Sequence, residues 1–326
     1  MEQSIRRLRQ TDGLAICQPV GERMRKHMEY LLLTENLTKQ YRKKKAVDSV
    51  NIHVKQGDIY GLIGRNGAGK TTLMKMLSGL AAPSSGRFLL FGEEGNKAGK
   101  VMNRVGALIE EPGIYADMSA YGNLHAKCIA LGVADKNTER ELLEIVGLMD
   151  TGKKPVGKFS LGMRQRLGIA LALVGEPDLV ILDEPINGLD PQGIAEVRST
   201  IERLNRERHI TFIISSHILG ELSKFALNYG IIHNGLLLQE LSREELFEKC
   251  SRKILLNTPD TPAASTVLEK LGIMNYRVTG KETMEIYEGL QDTAKINAAF
   301  VSAGIQINSI SVQNQELEDY YLELTK

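Results

Sequence analysis

Apolar and polar positions change rhythm several times along the chain, and each change predicts a different kind of element. A strand opens near Tyr30 with Leu31, Leu32 and Leu33. From there to about residue 240, short apolar runs alternate with helical stretches: Ile59–Ile63, Val105–Ile109, Leu179–Leu182, Thr211–Ser215 and Tyr229–His233. Most of these runs show little alternation, the pattern of strands covered on both faces. That predicts a mostly parallel α/β core with ligands gathered at the strand C-termini. Residues 113–165 lack such runs. Leu142, Val146 and Met149 fall on one helical face there, so this stretch is expected to be a helical insertion.

The pattern resets after about residue 250. Ile254–Leu256, Tyr276–Thr279, Met284–Tyr287 and Ile305–Val312 read as strands. Ala263–Leu271, Ala294–Val301 and Leu317–Leu324 read as helices. Residues 250–326 are therefore expected to form a small α+β unit in the β-α-β-β-α-β order of ferredoxin-like folds. Residues 1–27 stand apart: they carry Arg6, Arg7, Arg9, Arg23, Arg25 and Lys26 but no apolar stretch of the kind a secretion signal needs. Two readings stand, a disordered tail or a start codon set too far upstream. Gly21–Lys26 can be encoded by purine-rich codons resembling a ribosome-binding site, which makes Met28 the expected natural start.

Composition narrows the class without naming it. A chain of 326 residues has room for one large domain and a smaller one. Its 41 Lys+Arg against 40 Asp+Glu give a net charge of +1, so no global field points to nucleic acid. Cys17, Cys128 and Cys250 are too few and too scattered for a disulfide framework or a metal knuckle. No apolar run approaches the roughly 20 residues needed to cross a bilayer.

The chemistry is concentrated in four segments. Gly64-Arg65-Asn66-Gly67-Ala68-Gly69-Lys70-Thr71 fits the phosphate-binding loop G-x-x-x-x-G-K-[ST], and Thr72 continues it. Its glycines turn backbone N–H groups inward around a phosphate, Lys70 reaches the β- and γ-oxygens, and the Thr71 hydroxyl is placed for Mg2+. Leu179–Leu182 runs into Asp183 and Glu184: Asp183 would hold Mg2+, and Glu184 would polarise a water toward the γ-phosphate. Alone, that pair is a strand ending in a solvated acidic turn; with a phosphate loop upstream the catalytic reading prevails. Phe159-Ser160-Leu161-Gly162-Met163 precedes a helix-like run, and in isolation Ser160 is an ordinary N-cap. Ile214-Ser215-Ser216-His217 is a strand ending in histidine.

Taken together, these segments resemble the ATP-binding cassette (ABC) family, the motor subunits of ABC transporters, over about residues 28–240. The resemblance rests on order and spacing. Tyr41 matches the aromatic that stacks on adenine, and Gly64–Thr72 the Walker A loop. Phe159–Met163 occupies the signature position, with Ser160, Leu161, Gly162 and Met163 at its contact positions. Asp183 and Glu184 match the Walker B pair, Gly188–Pro191 with Asp190 the D-loop, and His217 the switch histidine. The resemblance implies a P-loop NTPase core, residues 28–240, as the nucleotide-binding domain. It also implies ATP and Mg2+ as ligands, and a homodimer in which Ser160 of one copy contacts the γ-phosphate held by the other. Hydrolysis would fall to Glu184 and His217. A separate membrane permease would dock between core and helical insertion, near 110–121, placing the chain in the cytoplasm at the inner face of the membrane.

Two departures from the family pattern sharpen the resemblance. Glu110 stands where the family usually has Gln, and Leu161 and Met163 replace the usual signature residues. Both features, with the closing stretch 316–324, look like the branch that exports or confers immunity to bacitracin and lantibiotics. Glu110 has three readings: a third Mg2+ ligand beside Thr71 and Asp183, a partner for a basic residue on the permease, or a conservative swap. The competing class is a soluble ABC-type ATPase acting on nucleic acid or ribosomes. One cassette, no sustained heptads and a balanced charge argue against it. A GTPase would carry N-K-x-D, which is absent.

Overall fold

The computed structural model describes residues 30–95, 99, 101–135, 137–250, 253–313 and 317–325. The extension 1–27 and the expected start at Met28 lie outside the described residues. In chain order, β1 (Tyr30–Tyr41), β2 (Lys44–Val50) and β3 (His53–Lys55) lead into β4 (Ile59–Ile63) and α1 (Lys70–Leu77). Next come β5 (Ser85–Leu90), β6 (Glu93–Glu94) and β7 (Val105–Leu108), then α2 (Ala120–Leu131), α3 (Thr138–Ile145) and α4 (Leu161–Leu173). The chain returns through β8 (Leu179–Leu182), α5 (Pro191–Arg208), β9 (Thr211–Ser216), α6 (Leu219–Leu222), β10 (Asn228–His233), β11 (Leu236–Ser242) and α7 (Arg243–Lys249).

Among the described residues these strands make two sheets. The central one runs β11-β10-β4-β9-β8-β7, parallel except for its edge hairpin β10–β11. Its inner strands β4, β8 and β9 are buried at every position for a simple reason: successive side chains enter opposite cores. Ile59, Val180, Phe212 and Ile231 join the cluster shared with the helical insertion. Their chain neighbours Tyr60, Leu179, Ile181, Ile213 and Ile232 join the cluster around α1. Each parallel strand ends at the same edge, and the chemistry collects there.

The second sheet, β2-β1-β5-β6 with β3 on β1, is antiparallel. Only its first strand was legible as a pattern. β2 opens on exposed lysines, and bulges at Leu37–Gln40 break the alternation that would mark the rest. Glu240 ties this sheet to the core. One oxygen accepts from the His53 N–H and from Tyr60 Oη, both at 2.8 Å; the other lies 2.7 Å from His53 Nδ1.

In the helical insertion Leu142 and Val146 are buried, whereas Met149 is exposed and off the helix. α3 ends at Ile145, and Gly147 turns the chain with φ +64°. The C-terminal segments are β12 (Lys253–Asn257), α8 (Thr261–Lys270), β13 (Tyr276–Val278), β14 (Thr283–Ile286), α9 (Thr293–Ser302), β15 (Ser309–Gln313) and α10 (Leu317–Leu324). Sheet order β13-β14-β12-β15, antiparallel throughout, is the ferredoxin-like arrangement, around a separate core of Ile254, Leu256, Leu268 and Phe300. The last strand starts at Ser309 rather than Ile305, whose side chain packs onto that core from the preceding turn.

One buried carboxylate lies under the fold without serving its site. Asp58 is 4 % exposed; Oδ2 accepts from Asn228 Nδ2 at 2.8 Å, while Oδ1 has no hydrogen-bond partner among the described residues. Burial raises its pKa above 3.8. A raised carboxylate favours the folded state below 3.8 and loses that contribution as pH climbs through the folded value. Asp58→Asn is therefore expected to raise the melting temperature by a few degrees at pH 7, about 1 kcal/mol. The gain should vanish near pH 4; thermal melts of both proteins across that range provide the check.

Candidate functional site

The phosphate loop fills the turn between β4 and α1. Gly69 caps the helix with φ +112° and ψ −3°, and a Cβ there would lie 2.5 Å from the Ala46 carbonyl oxygen. No acidic residue occupies the first turn of α1, so its positive end is available to an anion. Lys70 is 5 % exposed. Its Nζ donates to the carbonyls of Gly64 (2.6 Å) and Arg65 (3.2 Å) and lies 3.1 Å from Glu184 Oε1.

Glu184 follows β8 with Asp183, and β9 beside it delivers Ser215 and His217. Thr71 Oγ1 donates to Asp183 Oδ2 at 2.7 Å, and Ser215 Oγ donates to Asp183 Oδ1 at 2.5 Å. Ser215 Oγ also accepts from the Glu184 N–H at 2.8 Å. One hydroxyl thus fixes both neighbouring acidic residues. That support matters because Glu184 sits at φ +50°, a conformation L-residues avoid unless held. Its other carboxylate oxygen, Oε2, is 2.8 Å from His217 Nδ1. The structure therefore brings together Lys70, Thr71, Asp183, Glu184 and His217. Ser215 was visible in the sequence only as part of the strand before His217; its neighbour relation to the Asp183 strand was the missing signal.

Glu110 also has a left-handed backbone, φ +63°, and its carboxylate meets Lys75 Nζ at 2.6 Å, raising the lysine's pKa through that bond. Lys75 lies one turn beyond Thr71 on α1. Glu110 lines a cavity together with Asp183 and Glu184, but its hydrogen bond goes to Lys75. The pair is largely exposed and contributes at most about 1 kcal/mol to stability. Among the described residues no three His, Cys, Asp or Glu side chains gather as a metal site. Thr71 and Asp183 still suit Mg2+, which takes one or two protein oxygens and fills its shell from phosphates and water.

Cavities around this centre place the remaining candidates. Gly67, Gly69, Lys70, Thr71, Thr72 and Glu184 line a cavity of about 440 Å³ whose far wall is Lys44–Ala46 and Asn234–Gly235. Arg65, Asn66, Gly67 and Ala68 line an adjoining one with His217, His233 and Asn234. Tyr41 lies at the tip of the β1–β2 hairpin, half exposed, with Lys39 Nζ 5.1 Å from its ring centroid. Ser160 Oγ accepts from the Met163 N–H and caps α4. Asp190 caps α5 by accepting from the Gly193 N–H at 2.9 Å. Ser160, Leu161, Gly162, Met163 and Asp190 line a third cavity, and Leu161 also lines the one beside Glu110.

A profile of ABC transporters matches residues 47–187. The chain is 46% identical over 299 residues, 91% of its length and 98% of the relative's, to the bacitracin transport ATP-binding protein BcrA of Bacillus licheniformis. The chain belongs to the ABC transporter family. It is an ATP-binding subunit of that family and an ATP hydrolase. A second relative, the lantibiotic transport ATP-binding protein SrtF of Streptococcus pyogenes, is 45% identical over 210 residues, 64% of this chain and 90% of its own. Among solved structures, cbiO1 of Clostridium perfringens, part of the ABC transporter complex cbiONQ, superposes with TM-score 0.61 at 26% identity. It covers 75% of this chain and 96% of its own. A cassette in its ADP conformation, MJ1267, gives TM-score 0.62 at 25% identity over 68% of this chain and 94% of its own.

Proposed function

We propose that two copies of this chain power a separate membrane permease that exports a peptide antibiotic of the bacitracin or lantibiotic kind, with Mg2+ at Thr71 and Asp183. The observation that carries the reading is the cluster at the ends of β4, β8 and β9, where Glu184 is held between Lys70 and His217. The phosphate loop and the end of α1 bind the triphosphate. Arriving phosphate competes with Glu184 for the Lys70 ammonium, which frees the carboxylate. Glu184 then accepts a proton from the water attacking the γ-phosphorus, and the bond to the β-phosphate oxygen breaks. His217 keeps the carboxylate oriented, and bound Mg2+ would supply charge neutralisation for the phosphates.

Pairing of copies is supported by the separation of Ser160 and Gly162 from the phosphate loop of their own chain. They line a different cavity, with the D-loop Asp190, and so are available to a nucleotide held elsewhere. Tyr41 is assigned to adenine, and 28–240 and 250–326 are assigned as the two domains. Glu110 is assigned to the Lys75 pair. No described helix is long and apolar enough to cross a membrane, in keeping with a subunit that docks on a permease at the inner face. The similarity to bacitracin and lantibiotic transport ATP-binding proteins supports a peptide-antibiotic substrate.

The test is to express the chain with the integral membrane protein that co-purifies with it and challenge the cells with bacitracin and a lantibiotic. Resistance should rise severalfold to at least one of them and be lost with Glu184→Gln. ATPase activity should be stimulated by the membrane protein and not by RNA or DNA. Stimulation by nucleic acid alone, with unchanged susceptibility, would overturn the assignment.

A further inference from the structure

Helix α10 closes the chain some 250 residues beyond the phosphate loop, and yet it is bonded to that loop. Tyr320 and Tyr321 are each 8 % exposed and belong to the core cluster beneath the central sheet, with Leu317 and Leu324 packed at its margin. The Arg65 backbone N–H donates to Tyr321 Oη at 2.9 Å. The Gly220 N–H, three residues after His217, donates to Glu318 Oε1 at 2.9 Å. A Cβ on Gly220 would stand 3.0 Å from that same oxygen, so the carboxylate sits close against the glycine backbone. Tyr320 Oη, in turn, donates to Gln239 Oε1 on β11.

The Arg65 bond has a specific consequence. The Arg65 N–H and the Gly64 C=O belong to one peptide plane and point in opposite directions across it. Tyr321 holds the N–H end, and Lys70 Nζ holds the C=O end at 2.6 Å. Any rotation of that plane moves the carbonyl on which Lys70 rests. The hydroxyl of Tyr321 therefore restrains the position of the lysine that meets the phosphates, from the outside of the loop. The same helix restrains, through Glu318, the segment that carries His217.

We propose that Tyr321 is a positioning residue for the phosphate loop. Through it, the C-terminal unit forms part of the nucleotide site. It sets the Gly64–Arg65 plane and with it the resting place of Lys70.

The test compares Tyr321→Phe with Tyr320→Phe in the full chain, reading ATP KM, kcat and melting temperature together. Tyr321→Phe keeps the buried ring and removes only the bond to Arg65. It should raise ATP KM about 3- to 10-fold, the size of one neutral hydrogen bond, with kcat changed by less than about twofold. Tyr320→Phe removes the Gln239 bond from the same helix; it should lower the melting temperature comparably and leave KM unchanged. Equal KM shifts in both variants, following their loss of stability, would show a merely structural helix and overturn the proposal. So would an unchanged KM in Tyr321→Phe. Independently of any variant, the Arg65 amide of the unaltered chain should exchange with solvent more slowly than those of Asn66 and Gly67. Exchange at the rate of an open loop would overturn the proposal as well.

Discussion

Glu184→Gln lowers ATP turnover by about 100- to 10,000-fold, the usual range for removing a positioned general base, and leaves ATP binding intact or tightens it. The direction on affinity follows from geometry. Glu184 Oε1 lies 3.1 Å from Lys70 Nζ, so the carboxylate competes with phosphate for the same ammonium. An amide keeps the size of the side chain and an acceptor for His217, but it no longer holds Lys70 by charge. Phosphate release at saturating ATP, set beside a titration with fluorescent ATP, separates the two effects. Turnover within tenfold of the unaltered protein would mean that another group activates the water.

Gly69→Ala abolishes nucleotide binding while the rest of the chain stays folded. At φ +112° an L-residue is strained by about 1–3 kcal/mol. Its Cβ would also lie 2.5 Å from a backbone carbonyl, that of Ala46, which has no rotamer with which to escape. Loop and helix N-terminus must part from β2, and affinity for ATP should fall by about 100-fold or more. Gly67 is the control: it too is left-handed, φ +79°, but a Cβ there meets open space. Gly67→Ala is expected to cost about tenfold, by strain alone. Isothermal titration with ATP, alongside melting curves that shift by only a few degrees, distinguishes a broken site from a broken fold.

The central sheet could be read from the chain because both of its faces are buried. Residues such as Leu179–Leu182 must all be apolar when alternate side chains enter different cores. The C-terminal β-α-β-β-α-β unit has a different pattern, with every second residue of β12 and β14 buried. The antiparallel sheet was far less legible, since bulges in β1 and the lysines that open β2 erase the period of two. In the site, 64–72 was legible because its neighbours in sequence are also its partners in chemistry, and Asp183, Glu184 and His217 because they stand at positions where the chain resembles the family pattern. Ser215, Lys75 and Tyr321 escaped because their roles arise from contacts across 32, 35 and 256 residues to Asp183, Glu110 and Arg65. No local pattern encodes such a contact. Met149 shows the converse failure: helical spacing put it on a buried face, and Gly147 ended the regular course before it.

In the proposed function ATP joins two chains, with the cavity around Gly69 and Thr71 of one facing Ser160 and Gly162 of the other. The most direct measurement is the mass in solution, by light scattering, of the Glu184→Gln protein with Mg2+ and saturating ATP, alone and with its membrane partner. The predicted result is a species of twice the chain mass that reverts to single chains when ATP is removed, and that fails to form when Ser160 is replaced by arginine. A chain that binds ATP fully and remains single in both settings would contradict the account.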